Sequence, residues 1–135
     1  MGIQFGTDEW IKALMAALNE SEKYAKAAAK WEGDFYFIIE KGDGFPEETY
    51  LYMDLQHGKC LEAFKVDDPA VKSPSFSLDA SESIWRSVLE GKTDPISAIM
   101  TRKFKLTGSK MKILKSPKAA TALVEVAGEL DTDWP

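Results

Sequence analysis

The stretch FSLDASESIWRSVLEGKTDPISAIMTRKFKLTG, residues 76–108, changes its hydrophobic period twice. A short strand around Ser75 to Leu78 gives way at Asp79, which can cap a helix bearing Ile84, Trp85, Val88 and Leu89. Glu82 stands at the capping-box position and Gly91 is the stop. Asp94-Pro95 then opens a second helix, because proline fits the first turn, and Ile96, Ile99 and Met100 form its apolar face. Lys103-Phe104-Lys105-Leu106 alternates as a strand with one buried face, closed by Gly108. Strand, two helices and strand in so short a span predict a mixed α and β domain.

Upstream, residues 49–66 (TYLYMDLQHGKCLEAFKV) read as a hairpin. Leu51, Met53 and Leu55 share one face of the first run and Tyr50, Tyr52 and Asp54 the other. His57-Gly58 supplies a two-residue turn before Lys59 to Val66. An earlier alternating run, Asp34 to Glu40, puts Phe35, Phe37 and Ile39 on one face and Tyr36 and Ile38 on the other. Residues 41–46 and 67–74 are loops by composition. Before them, one long helix is expected from an N-cap at Thr7 to Gly33. Asp8 and Glu9 lie in its first turn, and Ile11, Leu14, Leu18, Ala25 and Ala28 recur at helical spacing. Its alanine-rich second half suits close packing against a sheet.

Downstream, Ser109 to Lys115 fits either period. Lys110 and Lys112 alternate with Met111 and Ile113, while on a helical wheel the lysines of 110–118 spread over half the circumference. Ser116-Pro117 opens a clearer helix with Ala119, Ala120, Leu123, Val124 and Ala127 on one face and Gly128 just beyond. Residues 129–135 read as a frayed tail.

The 135 residues suit a single domain over 1–135. Val, Ile, Leu and Phe make up 31 of them, above the roughly 20% floor associated with disorder. No apolar run is long enough for a membrane span, and the N-terminus lacks the layout of a secretory signal. The lone Cys60 excludes an internal disulfide and suits a reducing compartment, and the lone His57 leaves no His/Cys zinc cluster. A net charge of −5 conceals a segregation: residues 102–118 carry seven cations and no acid. Such a segment is an anion-facing surface, or else a solvated face whose lysines pair with acids elsewhere.

Motifs for chemistry are sparse. His57 sits in an exposed turn, Cys60 reads as a small apolar side chain, and Gly42 with Gly44 lacks the third glycine of a phosphate cradle. Asp131-Thr132-Asp133 begins like a calcium loop but lacks the glycine and glutamate that complete one. Tyr52 and Asp54, on one strand face, are the pairing suited to proton transfer on a steroid-like ketone. The cations come without an aromatic platform, so no nucleic-acid partner is expected. Apolar residues crowd the span from Trp85 to Met111, and core and ligand lining would show the same periodicity.

Phe76-Ser77-Leu78-Asp79 followed by Trp85 resembles the sterol carrier protein 2 (SCP-2) family. So do Leu89-Glu90-Gly91-Lys92-Thr93-Asp94-Pro95 running into Ala98-Ile99-Met100-Thr101, and Lys103-Phe104-Lys105-Leu106-Thr107-Gly108. The resemblance is specific over Phe76 to Leu114; the first half agrees in element order. It implies an α+β fold with a five-stranded, mainly antiparallel sheet covered on one face by helices, and a hydrophobic tunnel between them. It also implies that Ser109 to Lys115 is helical. The function implied is non-enzymatic binding or transfer of fatty acid, fatty acyl-CoA, phospholipid or sterol-like lipid, with no cofactor or metal. The tunnel lining would then be Phe37, Ile39, Leu51, Met53, Leu55, Trp85, Leu89, Ile96, Ile99, Met100, Phe104, Met111 and Leu114. Arg102, Lys103, Lys110, Lys112 and Lys115 would meet an anionic head group or, transiently, an anionic membrane. Two other readings are a structural or interaction module with a self-filled core, and a steroid-type isomerase using Tyr52 and Asp54. Arg102 stands where the family usually has glycine and Thr107 where lysine is common. An ending in Trp134-Pro135, unlike a Ser-Lys-Leu peroxisomal signal, sets the expectation of a cytoplasmic protein.

Overall fold

The computed structural model describes residues 2–42 and 44–135. Met1 and Asp43, the latter part of the loop expected over 41–46, lie outside the described residues. The elements are β1 (Ile3–Gln4), α1 (Asp8–Glu20), α2 (Glu22–Ala27), β2 (Glu32–Ile39), β3 (Thr49–Gln56), β4 (Lys59–Val66) and β5 (Phe76–Ala80). They continue with α3 (Glu82–Leu89), α4 (Pro95–Met100), β6 (Lys105–Thr107), α5 (Lys110–Leu114), α6 (Pro117–Glu129) and β7 (Thr132–Asp133).

Five strands form one sheet in the order β4-β3-β2-β5-β6, in which β2 and β5 run parallel and every other pair antiparallel. The expected hairpin is its β3–β4 edge. His57 (φ 51°) and Gly58 (φ 80°) are both left-handed, as a tight hairpin turn requires. A side chain at Gly58 would meet the Ala25 main-chain oxygen at 2.6 Å, so the turn is tucked under α2.

The strand faces divide as their alternation predicts. Phe35, Phe37, Ile39, Leu51, Met53 and Leu55 point to the helical side, where Ile11, Leu14 and Leu18 of α1 and Ala119, Ala122 and Val126 of α6 complete the main core. On the other side Tyr36, Ile38, Tyr52 and Val66 form a second, smaller cluster. Residues 67–75 cross it as a strap. Tyr36 Oη donates to Pro69 O (3.0 Å) and accepts from Lys72 N (3.1 Å), and Lys72 Nζ sits 5.0 Å from the centre of the Tyr52 ring.

Several expectations are corrected. The long N-terminal helix breaks at Ser21, whose side chain accepts from Tyr24 N and so caps a new helix. Asp79 does not cap α3: β5 runs on to Ala80, and Ser81 caps α3 by accepting from Ile84 N. Asp79 instead pairs across the sheet with Ile38 and Lys105. Burial and the Glu40 carboxylate beside it hold its carboxyl above the usual range. Gly128 lies inside α6, because only glycine allows the helix to pass the Leu89 main-chain oxygen, 2.5 Å from where a Cβ would stand. The tail is fastened rather than frayed. Ile3 N donates to Asp131 O (2.8 Å), Phe5 N to Asp133 O (3.1 Å), and the Trp134 ring lies 4.5 Å from that of Phe5. Ser109 to Lys115 resolves as helix α5, in accord with the resemblance.

Candidate functional site

Helices and sheet do not close completely on one another. Between them lies a half-enclosed cavity of about 90 Å³. Its sheet side is made by Phe35, Phe37 and Ile39 of β2 with Leu51 and Leu55 of β3. Trp10 and Leu14 of α1, Trp85, Val88 and Leu89 of α3, and Pro95 and Ile99 of α4 form the walls. Ile113 and the Ala119, Ala120, Leu123 and Val124 face of α6 complete them.

The lining is apolar because its polar handles are spent elsewhere. Trp10 Nε1 donates to Thr132 Oγ1 (2.9 Å), Trp31 Nε1 to Gly33 O (3.2 Å) and Trp85 Nε1 to Ile38 O (2.9 Å). Each indole therefore presents its carbon surface to the cavity. Tyr24 also lines it, and burial, with the Cys60 thiol beside it, raises its pKa so that the hydroxyl stays protonated. No carboxylate, imidazole, thiol or ammonium is among the lining side chains. Such a lining suits an apolar group, with the Tyr24 and Ser116 hydroxyls its only titratable or hydroxyl side chains.

Eight of the thirteen expected lining residues meet there: Phe37, Ile39, Leu51, Leu55, Trp85, Leu89, Ile99 and Phe104. Five do not. Met53 is wholly buried in the core beside the cavity. Ile96 and Leu114 are half-buried outside the lining, while Met100 (55% exposed) and Met111 (62% exposed) face outward. The reason is helical phase. In α5, residues 111 and 113 lie about 200° apart, so burying Ile113 turns Met111 to solvent. In α4, burying Ala98 and Ile99 leaves Met100 on the flank. Sequence reasoning missed the contribution of the N-terminal half, namely Phe5, Trp10, Leu14, Tyr24 and Trp31. The large aromatic residues near Gly6 and Gly33 were the available signal.

The isomerase pairing is displaced. Tyr52 Oη donates to Asp34 Oδ2 (2.9 Å) and Asp54 Oδ1 accepts from Gln56 Nε2 (2.8 Å), on the sheet face away from the cavity. Cys60 is buried, its thiol pushed up to about 12, which leaves it unreactive. His57 is exposed in its turn, with Nε2 2.8 Å from Glu32 Oε1 and Nδ1 3.1 Å from Ala29 O.

The basic segment surrounds the α4–α5 side of the cavity. Arg102, Lys103, Lys110 and Lys115 are exposed, and none has a carboxylate partner within 4.0 Å among the described residues. Lys105 reaches Glu40 at 3.8 Å, and Lys112, exposed like the others, donates to the Glu32 main-chain oxygen. Arg102 has φ 61°, a left-handed conformation natural to glycine. No described helix is long and apolar enough to cross a membrane, and no described His/Cys/Asp/Glu group is placed to hold a metal ion.

Residues 11–120 match the model of the SCP-2 sterol transfer family. A crystal structure of sterol carrier protein 2 superposes with a TM-score of 0.85 at 35% identity, covering 94% of this chain and 99% of that one. The solution structure of a conserved hypothetical protein from Thermus thermophilus, possibly a sterol carrier protein, gives 0.84 at 34% identity over 98% and 93%. Palmitated SCP2L2 from Aedes aegypti, at 14% identity, 0.59 and 82% and 90% coverage, shares the fold alone. No curated protein matches the chain.

Proposed function

The chain belongs to the SCP-2 sterol transfer family, and on that premise we propose that its cavity binds the hydrocarbon part of a long-chain lipid and carries it. Fatty acid, fatty acyl-CoA, phospholipid and sterol-like lipid are the candidate classes. The observation that carries this reading is the apolar lining, with three indoles whose N–H groups are already satisfied elsewhere.

Burying about sixteen methylenes at about 0.8 kcal/mol each yields about 13 kcal/mol gross. Several kcal/mol of that is lost to immobilisation, which leaves roughly micromolar binding or tighter without any polar anchor. The cavity as it stands is smaller than the roughly 150 Å³ that holds one benzene. A long chain enters only as the helices move apart. The unpaired Arg102, Lys103, Lys110 and Lys115 would meet anionic lipid at the surface where loading occurs, at about 1 kcal/mol each.

The test is thermal denaturation of delipidated protein with palmitate, the acid suggested by the palmitated relative, and native mass spectrometry of freshly purified protein. A rise in melting temperature and a co-purifying lipid are expected. Ala120→Trp, which fills the cavity from a half-buried position on α6, should weaken binding by more than about tenfold with little loss of stability. No shift with any acyl, sterol or phospholipid ligand would remove the reading. The small volume favours a second one, a structural module with its core filled by its own side chains. The same fold forms 16% of the length of a Pseudomonas sec-alkylsulfatase. An Ala120→Trp variant more stable than the parent, with no ligand for either, is the outcome that reading expects.

A further inference from the structure

Of the cations in the basic segment, Lys112, though exposed, is the one whose ammonium lies over a ring that lines the cavity. From α5 it donates through Nζ to the main-chain oxygen of Glu32, and its ammonium lies 5.1 Å from the centre of the Trp31 ring and 5.7 Å from that of Phe76. Trp31 lines the cavity, and so does Ile113, the next residue along α5. No carboxylate stands within 4.0 Å of Lys112 among the described residues. The carboxylate best placed to be its partner, that of Glu32, is turned away to His57 Nε2 at 2.8 Å. His57 is itself held by Ala29 O (3.1 Å at Nδ1) and by its N–H to Trp31 O (2.7 Å). Lys112 thus sets a full positive charge against a neutral carbonyl and two ring faces, beside a cavity with no charged side chain.

We propose that Lys112 is the anchor for the oxyanion head, carboxylate or phosphate, of a ligand whose chain lies in the cavity; this rests on the lipid-binding reading above. A charge-assisted hydrogen bond to an oxyanion is about twice as strong as one between neutral groups, and stronger than the bond Lys112 now makes. The carbonyl it would leave lies at the start of β2, before the pairing with β5 begins at Phe35, where water can replace the ammonium. The exchange also frees α5. Ile113 is the only buried residue of that helix, and Lys112 is its hydrogen-bonded link to β2. Head-group capture and widening of the cavity therefore fall on the same side chain. Arg102, Lys103, Lys110 and Lys115, which face solvent, are left to the membrane surface.

The experiment compares dodecanoate, dodecyl phosphate and dodecanol on the full chain at pH 8, by displacement of a fluorescent apolar probe, for the parent, Lys112→Gln and Lys112→Arg. The two charged ligands should bind the parent roughly tenfold more tightly than the alcohol. Lys112→Gln should erase that preference by weakening the two charged ligands without weakening dodecanol, and Lys112→Arg should retain it. Tighter binding of the phosphate points to a phospholipid head and tighter binding of the carboxylate to a free acid; either outcome supports the anchor if it depends on Lys112. A preference that survives in Lys112→Gln, or an equal loss for all three ligands, overturns the anchor and leaves the lipid reading standing. Failure of dodecanol to bind the parent removes the lipid reading and the anchor with it.

Discussion

Both faces of the sheet are covered by aromatic side chains, yet only one leaves room. On the helical face, the N–H groups of Trp10, Trp31 and Trp85 are taken up by Thr132 Oγ1, Gly33 O and Ile38 O, and the rings turn carbon toward the cavity. On the opposite face, Tyr36 and Tyr52 use their hydroxyls to fasten the strap itself, through Lys72, Pro69 and Asp34. Bonds between cover and sheet occur on both faces, Trp85 from α3 to β2 among them; what differs is that the indole bonds leave ring carbon against a space lined by apolar side chains. What the ring turns to the space, carbon or hydroxyl, therefore separates a site from a seal more clearly than aromatic content does.

The largest test of that contrast is Trp85→Ala. Trp85 packs against Phe104 (ring centres 4.6 Å apart) and Phe37 (5.7 Å), and is tied to the sheet through Ile38 O. Removing it should cost about 3–5 kcal/mol in urea unfolding. If the helical face has room to adapt, the variant should recover more stability on adding palmitate than the parent gains. A cost under about 1 kcal/mol would show that Trp85 is not part of a packed wall.

The strap face should respond less and without effect on ligand. Tyr36→Phe removes the acceptor of the Lys72 N–H and a donor to the strap, an expected loss of about 1–2 kcal/mol. Hydrogen exchange over 67–75 should quicken while lipid affinity holds; a change in affinity would mean the two faces are coupled. The same region carries a pH signature. Burial pushes Asp34 upward, but hydrogen bonds from the Ser75 backbone and the Tyr52 hydroxyl outweigh it and hold the carboxyl below its usual 3.8. A carboxyl depressed in the folded state stabilises it above the unfolded value, and that contribution is lost as pH falls through the folded one. On acidification below about pH 3.8 the strap should therefore loosen, and Asp34→Asn should remove that step.

What the chain made legible follows the same physics. The hairpin, the Asp94-Pro95 start, the faces of β2 and β3 and the inward face of α6 depend on local period and caps, and all stand in the structure. The cavity is harder to read, since Leu51 and Met53 share a strand face and only the arrangement of the helices makes one lining and the other core. Residues 111–113 show the limit: as a strand Met111 and Ile113 would share a face, as a helix they oppose, and four lysines hide the difference. The N-terminal wall depends on pairing between β1 and β7, whose partners are too far apart in sequence for any local pattern to reveal.

Arg102 gives the smallest and most separable effect. It follows the C-cap of α4, with its N–H on Ile99 O (3.2 Å) and that of Lys103 on Ala98 O (2.9 Å), and its φ of 61° is the conformation in which a Cβ meets the neighbouring carbonyl. That is the position where the resemblance leads one to expect glycine. The strap face shows no such strain: every non-glycine residue with positive φ among those described is either Arg102 or His57 of the hairpin turn. A strained cation without a carboxylate partner, on the rim of the cavity, is explained if the charge serves at that rim rather than in folding. Arg102→Gly should then raise stability by up to about 1 kcal/mol and, at low salt, reduce co-sedimentation with anionic vesicles several-fold, while leaving binding to neutral vesicles unchanged. Arg102→Lys should keep the vesicle binding and gain no stability. Unchanged vesicle binding in Arg102→Gly would reduce the residue to a poorly chosen helix terminator, and the contrast between the two faces would then rest on the cavity alone.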